Sequence, residues 1–147
     1  TENLVGIAGF AAAAQAAQSD LTNGIWDRVA ELRNILEITL ASAANESILV
    51  GKDSTRLPNT SMIATPGWKG ETQVMQMDLA GFAISAGSAC SSGKVKASTV
   101  LTAMGFDDDV ARSAIRVSLG PQTTREQVER FCDAWLAQLG RRQARSG

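Results

Sequence analysis

The sequence contains no histidine. That absence removes the usual zinc clusters and the cysteine–histidine nucleophile pair from this chain, and no metal site is expected. A reactive cysteine here must be activated by something other than a local imidazole. There are only two cysteines, Cys90 and Cys132. They are too few for a disulfide scaffold and point to free thiols in a reducing compartment, with a cytoplasmic location expected. Charge of either sign is not in excess: 14 basic and 15 acidic residues leave a net charge of -1. That balance argues against nucleic acid or a membrane surface as partner. No apolar run is long enough to span a bilayer. The one basic cluster, the tail "RRQARSG", reads as a frayed, solvated terminus.

What is present suffices for one modest domain of 147 residues. The chain begins with Thr1 and not with methionine, so a part of a longer polypeptide is expected. "NLVGIAGFAAAAQ" and the residues to Gln18 read as a buried or nearly buried helix, alanine-rich, weakened by Gly6 and Gly9, which are expected to mark close contact with another element. A second helix carries Ile25, Val29, Leu32, Leu36 and Leu40 in steps of three and four. "SILVG" is a short strand, and "RLPNTSMIAT" another, started by its proline. "GETQVMQMDLA" reads as a helix opened near Gly70, and "GFAIS" as a strand. "KASTVLTAMG" reads as a helix closed by Gly105. "SAIRVSLG" alternates, with Ile115, Val117 and Leu119 on one face and Ala114, Arg116 and Ser118 on the other. The last helix is expected to start in a capping box of Thr123 and Glu126 and to bury Val128, Phe131, Cys132, Trp135 and Leu139. The order predicts an α/β (α+β) domain with helices packed on one small sheet. The acids of "FDDDVAR" need no metal, because a helix N-terminus accounts for them. Trp26, Trp68 and Trp135 read as core or interface aromatics, and Cys132 as a core thiol.

Cys90 stands in "SAGSACSSGK", where nine of ten residues are small. Such a segment suits a surface loop that keeps its thiol accessible. It equally suits a tight turn around a small buried thiol, and the residues alone leave both readings open.

"GSACSSGK", preceded by "LAGFAISA", resembles the active-site loop of cysteine desulfurases. These are pyridoxal-phosphate enzymes of the class V aminotransferase superfamily, and the likeness is to the subgroup with a long Ser-rich cysteine loop. "TENLVGIAGFAAAA", "RLPNTSMIATPG" and "SAIRVSLGPQTTREQVERF" are similar too, in order and spacing. The resemblance runs from Thr1 to about Leu139. It implies the C-terminal domain of a fold type I transferase, with residues 1–20 a helix ending the cofactor domain and 21–147 the small domain. It implies a homodimer that converts L-cysteine to L-alanine and leaves a persulfide on the enzyme. A sulfur-acceptor or scaffold protein would receive that sulfur for iron–sulfur clusters or other sulfur-containing cofactors. Cys90 aligns with the nucleophile and Arg116 with the arginine that binds the substrate carboxylate, a task suited to its planar fork. Thr1 aligns with a threonine reaching the cofactor phosphate of the neighbouring subunit. Lys52, Lys69, Lys94 and Lys96 match none of the family's cofactor-lysine motif, so the anchoring lysine is expected outside this chain and the chain alone is expected to be inactive. Ala86 departs from the serine of many members. Two other classes compete with the enzyme: a non-catalytic stand-alone module, and a persulfide-relay protein that accepts sulfur without forming the persulfide.

Overall fold

The computed structural model describes residues 2–87 and 97–146. Thr1, the cysteine segment around Cys90, Lys94 and Lys96 lie outside the described residues. Among the described residues six helices and four strands follow one another as α1 (Leu4–Thr22), α2 (Ile25–Ala43), β1 (Ile48–Leu49), β2 (Thr60–Ala64), α3 (Gly70–Leu79), β3 (Ser85–Ala86), α4 (Thr99–Ala103), α5 (Asp108–Ser113), β4 (Ala114–Ser118) and α6 (Arg125–Ser146). The strands form one antiparallel sheet in the order β1-β2-β4-β3. The fold is α/β, with helices on a small sheet, as the sequence predicts.

Strand alternation decides which face each helix covers. Ile63 of β2 and Ile115 and Val117 of β4 point into a core with Leu36 and Leu40 of α2, Met77 of α3, and Phe131, Trp135 and Leu139 of α6. The neighbouring positions Ala64 and Ala114 point the other way, where Leu101 of α4 and Val110 and Ala111 of α5 cover them. Ala114 is therefore buried, not on an open face shared with Arg116. Among the described residues only the far end of this second face is covered, and Arg116 and Ser118 are exposed.

The predicted burial of the first helix is overturned. No side chain of α1 is buried, and Val5 and Phe10 are 86% and 77% exposed. Alanine stabilises a helix without any partner, so an apolar, alanine-rich run says that cover is wanted and not where it comes from. Gly6 does not meet another element either. It makes room for Asn3, whose side chain caps α1 by accepting from the Gly6 amide at 2.9 Å.

Three other boundaries move. The capping box of α6 is Thr124 with Gln127, each side chain bonded to the other's amide, while Thr123 instead accepts from Gly120 across the preceding turn. Arg28 of α2 holds that turn through the carbonyls of Pro121 and Thr123. The basic tail is not frayed, because α6 runs on to Ser146. "GFAIS" contributes only Ser85 to a strand, after a turn at Gly81, whose φ is 86°. At Gly105 the expected stop is present. Its φ is 89°, and the amides of Gly105 and Phe106 donate back to Thr102 and Leu101, a Schellman ending.

One buried polar group ties the layers together. Gln73 of α3 is fully buried. Its amide nitrogen donates to the carbonyls of Trp68 and Ser113, each at 2.8 Å, and its oxygen accepts from the Trp135 indole at 3.0 Å. The rings of Trp68 and Trp135 meet at 5.2 Å.

Candidate functional site

Arg116 sits mid-strand in β4 because alternation turns it away from Ile115 and Val117. Its register partners are Met62 of β2 on one side and Ser85 of β3 on the other. It has no hydrogen-bond or ion-pair partner among the described residues. A guanidinium left exposed and unpaired on a sheet is available for an external carboxylate.

Two open clefts flank it. One, about 920 Å³, lies toward α3 and β3 and is lined by Glu71, Met75 and Asp78 with Ser85 and Gly87. The other, about 440 Å³, lies toward β2 and is lined by Arg56, Leu57, Thr60, Met62 and Ser118. Arg116 borders both.

The chain entering the cysteine segment is pinned beside this arginine. After Ser85 pairs with Arg116 and Ala86 with Ile115, the Gly87 amide donates to the Ala114 carbonyl at 2.7 Å. Three successive residues thus run along β4 before the described chain stops at Gly87. Cys90 is three positions further on. Its placement lies outside the described residues, as does that of Thr1.

The wall of the second cleft is braced by a group that sequence reasoning missed. Glu37, on α2, is 8% exposed and accepts both Arg56 nitrogens, at 2.7 and 2.6 Å, and the Ser61 hydroxyl at 2.5 Å. Arg56 also donates to the Thr60 carbonyl at 3.2 Å, and Arg33 to the Leu57 carbonyl at 3.0 Å. Burial pushes the Glu37 carboxyl up, but the hydrogen bonds from Arg56 and Ser61 and the nearby Arg56 and Arg33 charges outweigh it, so its pKa is lowered. The signal was present, since Glu37 follows the stripe residue Leu36, at the edge of the apolar face. Finding its partner required the fold.

Cys132 is a core thiol, as expected. It is 1% exposed, and burial, with a smaller contribution from Asp133, pushes its pKa up to about 11. Among the described residues no cluster could hold a metal ion, and no helix is long and apolar enough to cross a membrane. The two described lysines, Lys52 and Lys69, line neither cleft beside Arg116.

Residues 1–131 match the family Aminotransferase class-V, and the chain belongs to that family. It is 37% identical over 133 residues to a cysteine desulfurase of Cereibacter sphaeroides, covering 90% of this chain and 33% of that protein. It is 34% identical over 130 residues to the cysteine desulfurase NifS of Azotobacter vinelandii, covering 88% of this chain and 32% of that one. The fold superposes on the X-ray structure of a NifS-like protein from Rickettsia africae ESF-5 with a TM-score of 0.79 at 29% identity, over 92% of this chain and 34% of the other. The chain thus spans about a third of the length of the curated relatives it matches.

Proposed function

We propose that this chain is the C-terminal part of a cysteine desulfurase, with residues 1–20, most of α1, as the end of the cofactor domain and residues 21–147 as the small domain. The observation that carries the reading is the register of β3 on β4: an arginine whose side chain has no partner among the described residues lies directly beside the strand that leads into the cysteine segment. Substrate L-cysteine is held through its carboxylate by Arg116. The Cys90 thiolate attacks the substrate sulfur. A sulfur–sulfur bond forms, the carbon–sulfur bond breaks, its electron pair stays with carbon, and that carbon takes a proton and leaves as L-alanine. The persulfide on Cys90 then passes to an acceptor or scaffold protein for iron–sulfur clusters or other sulfur-containing cofactors.

The family implies pyridoxal phosphate, which supplies an electron sink for the substrate carbon. The described residues around Arg116 do not fit its covalent anchor, because neither described lysine borders the site. We assign that anchor to a lysine outside this chain, and Thr1 to the cofactor phosphate of the neighbouring subunit in a homodimer. The exposure of α1 supports its assignment to another domain. The expected location is the cytoplasm, where both thiols stay reduced.

The test is made on the complete polypeptide with cofactor and L-cysteine. One added sulfur on the Cys90 peptide, lost in Cys90→Ser while the cofactor absorbance persists, is the expected result. Unimpaired alanine production by Cys90→Ser rejects the reading. Sulfur carried on Cys90 only when another enzyme supplies it would favour a relay protein instead.

A further inference from the structure

The two clefts beside Arg116 differ in charge, and that difference orients a substrate. The cleft toward β3 carries the carboxylates of Glu71 and Asp78. Among the described residues, the cleft toward β2 has Arg56 as the one charged group in its lining besides Arg116 itself. Arg56 is already taken by Glu37 in a two-pronged pair and by the Thr60 carbonyl. It makes that side electrically tolerant of an anion without offering a free fork to hold one. The group that is free there is a hydroxyl. Ser118 is exposed, two residues along β4 from Arg116, and no hydrogen bond engages its side chain among the described residues. Thr60 stands directly opposite it across β2.

Resting on the desulfurase reading above, we propose that Ser118 is a substrate-specificity residue. Its hydroxyl donates to the substrate carboxylate held by Arg116, so that the carboxylate enters the β2-side cleft and the sulfur points toward β3. The geometry of the sheet is suited to this orientation. Sulfur and carboxylate carbon in cysteine are three bonds apart, comparable to one interstrand spacing of about 4.8 Å, and β3, the strand leading to Cys90, is one spacing from β4. The opposite orientation would set the carboxylate among Glu71 and Asp78 and send the sulfur away from the strand that leads to the nucleophile. Leu57 and Met62 complete the β2-side wall with apolar surface, which favours a small substrate whose only anion is the one Arg116 and Ser118 share.

The experiment uses Ser118→Ala, Ser118→Thr and Arg116→Lys in the complete enzyme. The probes are L-cysteine as substrate and L-alanine and L-alaninamide as inhibitors, the amide lacking the carboxylate charge. Ser118→Ala is expected to raise KM for L-cysteine and the inhibition constant for L-alanine about tenfold, the size of one hydrogen bond to a charged group. It leaves kcat near its original value and the inhibition constant for L-alaninamide unchanged, a pattern of lost ground-state binding and not of lost structure. Ser118→Thr, which keeps the hydroxyl, restores both constants. If L-alanine inhibits Ser118→Ala as well as it inhibits the parent, or if both inhibitors weaken equally, Ser118 is not the carboxylate's partner. If Arg116→Lys itself leaves KM for L-cysteine unchanged, the desulfurase reading of Arg116 falls and this inference with it. That failure is distinct from one confined to Ser118.

Discussion

The Gly87 amide donates to the Ala114 carbonyl at 2.7 Å, and a Cβ added at Gly87 would lie 2.8 Å from the Cβ of Ala114. Gly70 abuts the same residue from α3, where a Cβ would lie 2.5 Å from the Ala114 oxygen. Ala114 is thus gripped from two sides by glycines. One opens a helix and the other precedes the cysteine segment.

Gly87→Ala is accordingly expected to cost about 1–3 kcal/mol, the usual penalty for overpacking. Gly70→Ala should cost more, because it faces a backbone oxygen that cannot swing aside. Urea denaturation measures both. In the complete enzyme, Gly87→Ala should also slow persulfide formation, since it displaces the entry to the Cys90 segment. Wild-type stability in both variants would mean that Ala114 yields.

Arg116→Lys keeps the charge and loses the planar fork. An increase of roughly tenfold in KM for L-cysteine is expected, since hydrogen bonds to charged groups contribute about 1.5–3 kcal/mol. In the proposed assignment Arg116 holds substrate and not cofactor, so the cofactor spectrum should be unchanged. Steady-state kinetics and absorbance on the same sample separate the two.

At neutral pH the two cysteines should differ in reactivity. The Cys132 thiol, with its pKa pushed up to about 11, stays protonated and enclosed. Iodoacetamide should therefore modify Cys90 in the folded chain and reach Cys132 only after unfolding, as read by peptide mass spectrometry. Equal rates would mean that α6 opens readily, or that Cys90 is itself enclosed.

Glu37 makes stability depend on acid. Its folded pKa lies below the ordinary 4.5. The unfolded chain therefore binds the proton more tightly, and the stabilisation is present above about pH 4.5 and lost as pH falls through the folded value. Glu37→Gln should be less stable at neutral pH and should lose less on going from about pH 7 to about pH 3. Arg56→Ala, which strands a buried carboxylate, should be destabilising by about 2–3 kcal/mol, below the full cost of a broken buried pair because Arg56 is half-buried. Denaturation midpoints across that pH range check both variants.

The elements that were legible in the sequence are those whose period reports local geometry. The stripe of α2, the alternation of β4 and the apolar face of α6 each repeat often enough to fix which side is buried. The short strands were less legible. β1 and β3 each have two residues, and their extent is set by what lies opposite them on β2 and β4. Thr123 and Thr124 are adjacent candidates for one cap, and Arg28 helps settle the choice by holding the turn from α2. Arg116 is singled out as a candidate only through resemblance, because a lone strand arginine has no distinguishing pattern. Its flanking clefts and the brace of Glu37 on Arg56 join residues distant in sequence, which no local spacing encodes.

The triple engagement of Gln73 also constrains how this chain can change over generations. Replacing Gln73 alone with an apolar residue strands the Trp135 indole and two carbonyls, while replacing Trp135 alone strands the Gln73 oxygen and breaks the stack on Trp68. The two costs overlap and do not add, because the hydrogen bond between the Trp135 indole and the Gln73 oxygen can be lost only once. Positions 73 and 135 are therefore energetically coupled, and a change at either is felt through the residue at the other.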